Sequence, residues 1–172
     1  MPLAPCTSGG NFGTIDGVPA ANIARWNGTA WTALGTGADN QVNALALDAS
    51  GQLYAGGKFA QMDGVNCHGL AQWTGSAWRD LGLGPTMEVT SLLAEGGTVY
   101  AGTYLATPAW AGAVQAWNGS TWRTLGTASL GVNALVADGA GGLYAGARNG
   151  AIGDFSTGVI DHWDGSTWHV LN

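Results

Sequence analysis

Eight of the nine tryptophans in this 172-residue chain fall into pairs five residues apart: Trp26/Trp31, Trp73/Trp78, Trp117/Trp122 and Trp163/Trp168. Successive pairs are offset by 47, 44 and 46 residues. A second marker keeps that period, in Leu53-Tyr54-Ala55-Gly56, Val99-Tyr100-Ala101-Gly102 and Leu143-Tyr144-Ala145-Gly146. A third is Val42-Asn43-Ala44-Leu45, echoed by Val89-Thr90-Ser91-Leu92 and Val132-Asn133-Ala134-Leu135. Three markers in one register make the chain a tandem repeat of about 45 residues. That confines it to folds in which each unit leans on its neighbours.

Each unit reads as four short strands, a to d. Strand a is the Val-x-x-Leu run, for example Val42 to Leu47, followed by the turn Asp48-Ala49-Ser50-Gly51. Strand b runs from Leu53 to Phe59, and strand c leads into the first Trp, as in Gly69 to Trp73. The c–d connections are Asn27-Gly28, Thr74-Gly75, Asn118-Gly119 and Asp164-Gly165. Asn-Gly and Asp-Gly predict two-residue hairpins, which need positive φ at both central positions. Asn27-Gly28-Thr29 and Asn118-Gly119-Ser120 also match a glycosylation sequon, but the turn accounts for them.

Strand d carries the second Trp and a Leu three positions later, as in Trp31/Leu34, Trp78/Leu81, Trp122/Leu125 and Trp168/Leu171. Residues three apart on a strand point to opposite faces, so each sheet offers a large apolar group on both sides. A sheet buried on both faces, in units of this length, is a propeller blade between two neighbours. A sandwich would alternate apolar and polar. No segment has helical periodicity. The expected fold is all-β: a β-propeller, or part of one, spanning 1–172, with units at about 6–35, 42–82, 89–126 and 132–171.

The run Leu53 to Phe59, with its Gly56-Gly57 doublet, followed by Trp73-Thr74-Gly75-Ser76-Ala77-Trp78, resembles a kelch-type propeller repeat. The likeness is closer to the bacterial and fungal subgroup reading GGxF…WxGxxWxxLG, which Gly9 to Phe12 and Trp26 to Gly35 also fit. Units three and four depart from the doublet, with Gly102-Thr103 and Gly146-Ala147. The resemblance implies a propeller without implying an activity, and no copper-oxidase ligand set can be carried over.

Strands b, c and d occur four times and strand a only three times. Unit one begins directly at strand b, near Cys6-Thr7-Ser8-Gly9. An absent inner strand leaves an apolar edge, to be covered either by other copies, such as a dimer of four-unit arcs, a larger ring or a fibre, or by further blades of a longer chain.

Charged side chains make up only 9% of the residues, against about 25% in an average domain. The net charge is −6, which disfavours a phosphate-backbone partner, so no nucleic acid is expected. No uncharged apolar run approaches the length of a membrane span. The start, Met1 to Pro5, lacks the basic and apolar regions of a signal peptide. The neutral, hydroxyl-rich composition nonetheless suits an extracellular or cell-surface repeat protein. Cys6 and Cys67 are the one pair available for a disulfide.

Alternation places the b–c and d–a loops at one end of the blades, and binding usually resides in such loops on a rigid scaffold. Trp110 lies outside the repeat, in a b–c loop near Tyr104, and His68 and Asp63 sit in another; Arg148 opens a third. These five are the candidate ligand contacts, for a protein or a neutral glycan. The paired tryptophans belong to the core, since burying one removes roughly 150–250 Å² from water. His162 and His169 lack a metal-ligand spacing, and neither a nucleophile nor a second carboxylate accompanies His68 and Asp63. The expectation is therefore a binding module without cofactor, metal or catalytic residues; the alternative is a structural subunit that self-assembles.

Overall fold

The computed structural model describes residues 4–82, 88–104, 112–128, 131–148 and 158–171, and among these every regular element is a strand. Unit one holds β1 (Cys6–Gly9), β2 (Thr14–Ile15), β3 (Val18–Pro19), β4 (Ile23–Trp26) and β5 (Trp31–Ala33). Unit two holds β6 (Val42–Leu47), β7 (Leu53–Gly57), β8 (Gln61–Met62), β9 (Val65–Asn66), β10 (Leu70–Trp73) and β11 (Trp78–Asp80). Unit three is β12 (Glu88–Glu95), β13 (Thr98–Tyr104), β14 (Gly112–Trp117) and β15 (Trp122–Ala128). Unit four is β16 (Val132–Ala137), β17 (Leu143–Arg148), β18 (Gly158–Trp163) and β19 (Trp168–Leu171).

Units two to four are four-stranded antiparallel sheets in the order a-b-c-d. Unit one has three strands, β1-β4-β5, so β1 pairs on one side only. Among the described residues no inner strand pairs with β1. The effect on burial is direct: β7 is buried along its whole length, whereas β1 is exposed at Cys6 and half-buried at Thr7, Ser8 and Gly9.

Three apolar clusters hold the sheets together, one in each seam between successive units. Trp78 lies in the seam between units one and two, and Leu81, three residues on, in the seam between two and three. The two-faced strand d expected from the Trp-to-Leu spacing is what the structure contains. No apolar cluster among the described residues joins unit four to unit one.

Three side-chain devices recur from seam to seam. Trp78, Trp122 and Trp168 each donate the indole N–H to the carbonyl of the strand-d leucine in the preceding unit, Leu34, Leu81 and Leu125, at 3.0 Å. Every strand a carries a bulge one residue after its Val. The bulge turns that residue toward the next unit: Asn43 donates to the Val89 carbonyl at 2.9 Å, and the Thr90 hydroxyl donates to the Val132 carbonyl. Finally, each seam seats a valine on a bare backbone. A Cβ on Gly9, Gly56 or Gly102 would come within 2.6, 2.4 and 2.7 Å of Val42, Val89 and Val132.

The c–d connections differ from expectation. Trp26 pairs directly with Trp31, leaving a four-residue loop in which Gly28 alone has positive φ. Asn27 Oδ1 accepts the N–H groups of Thr29 at 2.9 Å and Ala30 at 3.0 Å, and the Asn27 N–H donates to the Ala30 carbonyl at 3.2 Å, so side chain and backbone close the turn together. Asn118 and Asp164 do the same, and the Thr74 hydroxyl accepts one N–H group, that of Ala77, at 3.2 Å. Two-residue hairpins do exist, but inside the b–c loops. Asp16-Gly17 joins β2 to β3 and Asp63-Gly64 joins β8 to β9, with positive φ at both positions of each.

Candidate functional site

The loop end of units one and two is braced. Met62, Phe59 and Cys67 of the second b–c loop are buried in one cluster with Leu34 and Ala38. The d–a loop then clasps the hairpin through its backbone: Asp39 N–H donates to the Gln61 carbonyl at 3.1 Å, and Asp63 N–H to the Gly37 carbonyl at 2.7 Å. Asp39 Oδ1 accepts the N–H groups of Ala60 and Gln61, at 2.9 and 3.0 Å. Gly37 is required at this crossing, because its φ is +86° and a Cβ there would lie 2.2 Å from the Ala21 carbonyl oxygen. What remains outward is Lys58, Ala60, Gln61, Asn66 and His68, a small polar platform in which Gln61 donates to Asn66 at 2.9 Å.

The structure places four of the five candidate contacts within the described residues. Asp63 is a turn residue whose Oδ1 accepts the N–H of Thr36 at 2.6 Å and its hydroxyl at 2.8 Å. Those bonds hold its carboxyl below the usual carboxylate range. His68 is exposed at the end of the same loop, with φ of +46°. Tyr104 ends β13 half-buried, opposite Glu88 in register, and its ring lies where a Cβ on Gly131 would go. Arg148 ends β17 opposite Gly158. Trp110, and most of the loops 104–111 and 148–158, lie outside the described residues. Asp63 and His68 belong to one loop; Tyr104 and Arg148 belong to units three and four.

At the opposite end of the blades, Asp48 and Asp138 close the a–b turns, each accepting two backbone N–H groups at 2.7–2.9 Å. Asp138 also bonds His162 at 2.9 Å, and Asp164 bonds His169 at 2.8 Å, so the two histidines go to separate carboxylates. No metal-holding group of His, Cys, Asp or Glu occurs among the described residues. Cys6 and Cys67 are both free; burial pushes the Cys67 thiol up to about 11.

The His162 bond depresses Asp138, and the Thr167 N–H followed by the His169 bond depresses Asp164. With Asp63 they form a set whose folded-state pKa values lie below the ordinary value near about 3.9. A depressed carboxyl stabilises the fold above its unfolded pKa, and that contribution disappears as pH falls through the folded value. The urea midpoint is therefore expected to hold between about pH 5 and 7 and to fall below about pH 4. Asp63→Asn should reduce that dependence; a midpoint indifferent to acid would contradict the assignment.

No family profile matches the chain, and no curated protein matches it. Solved structures do. The computationally designed protein Ika8 superposes with a TM-score of 0.59 and 20% identity, over 87% of this chain and 42% of that one. YCF48 bound to a D1 peptide gives 0.55 and 16%, over 87% and 48%. The WD40 repeats of RRP9 give 0.51 and 16%, over 86% and 47%. The chain thus spans less than half the length of each of these three structures. With all-β units joined seam to seam and propeller-type neighbours, the chain is a repeat protein of β-propeller fold.

Proposed function

We propose that the chain is a non-enzymatic interaction module of the kelch-like kind, working outside the cell, whose b–c and d–a loops recognise a protein partner or a neutral glycan. The observation that carries this is the braced platform of unit two. Backbone clasps and the Asp39 and Asp63 carboxylates fix its shape, while Gln61, Asn66 and His68 face outward. A preformed surface avoids the ordering cost that a flexible loop pays on binding. The propeller YCF48, solved with a D1 peptide, offers a precedent for peptide binding on this fold.

A screen of immobilised peptides and neutral glycans, read by tryptophan fluorescence and by surface capture, tests the reading. Ligands recovered should lose at least about tenfold in affinity to Gln61→Ala with Asn66→Ala, or to Trp110→Ala, without change in the urea midpoint. Ligands that ignore every loop substitution would move the function elsewhere on the molecule. Self-association is a second reading, favoured by the two ends of the indole ladder. Among the described residues, Trp78, Trp122 and Trp168 make the indole bond, whereas Trp31 donates to no leucine carbonyl and Leu171 accepts from no tryptophan.

A further inference from the structure

A cavity of about 290 Å³ lies in the seam between units three and four, over Leu125 and Trp163. We propose that it binds a small aliphatic carboxylate, whose charged group is held by Arg123 and Tyr100. Unit two supplies the template.

Each unit sets equivalent residues side by side on strands b, c and d. In unit two, Tyr54 of β7 pairs with Gln72 of β10, and Gln72 with Arg79 of β11. In unit three, Tyr100 of β13 pairs with Ala116 of β14, and Ala116 with Arg123 of β15. Directly paired residues share one face of a sheet, and this face meets the following unit. Tyrosine and arginine are kept, while the glutamine between them becomes alanine.

In unit two the Gln72 side chain, 1% exposed, fills that space. Its carboxamide oxygen accepts the Arg79 Nε–H at 2.5 Å. Its nitrogen donates to the Tyr54 hydroxyl at 3.2 Å and to the Gln52 side chain. Tyr54 is free to accept because its own proton goes to Asp48, 3.2 Å away. In unit three Ala116 ends at Cβ, and Thr98 stands where Gln52 does. The cavity is thus a place where arginine and tyrosine grip a planar group in the neighbouring seam, opened by the loss of that group's side chain.

The charge of a fitting group follows from the a–b turn. Glu95 stands at the position of Asp48, one residue beyond the last strand-a pair, but it does not line the cavity. Among the described residues neither Tyr100 nor Arg123 has a side-chain hydrogen bond or an ion pair. With no acid to take its proton, Tyr100 donates into the cavity where Tyr54 accepts. Arg123 and the Thr98 hydroxyl add further donors. Arg123 is the one charged residue among the described residues that line it, and Asp164, beside the lining Gly165, is engaged by Ser166, Thr167 and His169. A guanidinium fork with a hydroxyl donor matches a carboxylate, and charge-assisted bonds of this kind are the stronger ones. Leu125 and Trp163 cover the aliphatic end. The cavity is walled by two described units and lies apart from the loop platform, so this proposal and the loop reading fail independently.

Propionate is the probe, since it is the Gln72 side chain with a carboxylate in place of the carboxamide. It is titrated into the full chain and followed by nuclear magnetic resonance, with sodium chloride at matched ionic strength as the blank. Saturable binding with a Kd on the order of 1 mM is expected, with shifts at the Arg123 Nε–H and the Trp163 indole. Propionamide, the neutral isostere, should bind at least about tenfold more weakly. Arg123→Gln and Tyr100→Phe should each cost propionate at least about fivefold in affinity. Ala116→Gln rebuilds the unit-two arrangement and should abolish binding. Near-ultraviolet dichroism of the tryptophan pairs checks that each variant folds, and Arg123→Gln, at an exposed position, keeps the test decisive if Ala116→Gln does not. No saturable binding, propionamide binding as well as propionate, or an Ala116→Gln variant that folds and still binds overturns the proposal. So does tighter binding of the tripeptide Gly-Glu-Gly than of propionate, since the cavity would then serve a partner's glutamate.

Discussion

Trp78→Ala is expected to destabilise the chain by about 3–5 kcal/mol, and Trp31→Ala by less than about half of that. The two residues occupy the same place in successive units. Trp78 is 4% exposed, pairs with Trp73 at 5.3 Å between ring centroids, and donates to Leu34 across the seam. Trp31 pairs with Trp26 at 5.5 Å, but it is half-buried and donates to no leucine carbonyl among the described residues. Removing Trp78 leaves a cavity and an unanswered carbonyl at Leu34; removing Trp31 strips a surface already in contact with water. Urea denaturation followed by circular dichroism measures both. Equal losses would mean that the seam is not what stabilises strand d.

A methyl group placed on the glycine of strand b should give opposite results in two units. Gly56→Ala is expected to cost about 1–3 kcal/mol, because its Cβ would lie 2.4 Å from Val89 Cγ1 and 3.2 Å from Leu92 Cδ1, both in a packed seam. Gly146→Ala, at the equivalent place in unit four, meets only the Ala134 Cβ at an ordinary 3.6 Å. That change should be neutral or stabilise by up to about 1 kcal/mol, since alanine narrows the unfolded ensemble. Thermal midpoints of the two variants would show the contrast, and a destabilised Gly146→Ala would reveal a neighbour seated on unit four. The exposed apolar residues agree, for Val136, Tyr144, Ile160, Val170 and Leu171 all belong to that last unit.

Period, strand order and the two-faced strand d were legible in the sequence, because each rests on tryptophan, leucine and valine positions that recur in register. The unpaired edge of β1 was legible too, as the absence of a Val-x-x-Leu run before Cys6. The hairpins inside the b–c loops were missed, although the signal was present. Gly9-Gly10-Asn11-Phe12 with Asp16-Gly17-Val18 repeats as Gly56-Gly57-Lys58-Phe59 with Asp63-Gly64-Val65. An Asx-Gly pair does not by itself state loop length. At the Asn27, Asn118 and Asp164 turns the side-chain oxygen bonds two amides within a four-residue loop, whereas at Asp63 it bonds Thr36 and the two-residue turn forms without it. The role of Asp63 as a brace depends on Thr36, 27 residues earlier in the d–a loop, which no local pattern announces.

The indole bond from each unit to the carbonyl of the one before it gives the molecule a direction. In units two and three the donor tryptophan and the acceptor leucine carbonyl, three residues apart, serve opposite seams, so each of these units ends with the group that the following unit requires. Gain or loss of one whole repeat of about 45 residues would restore a matching pair at the new junction, with no other residue obliged to change. A gene built this way can alter the length of its product by whole repeats, each new junction arriving with its own donor and acceptor.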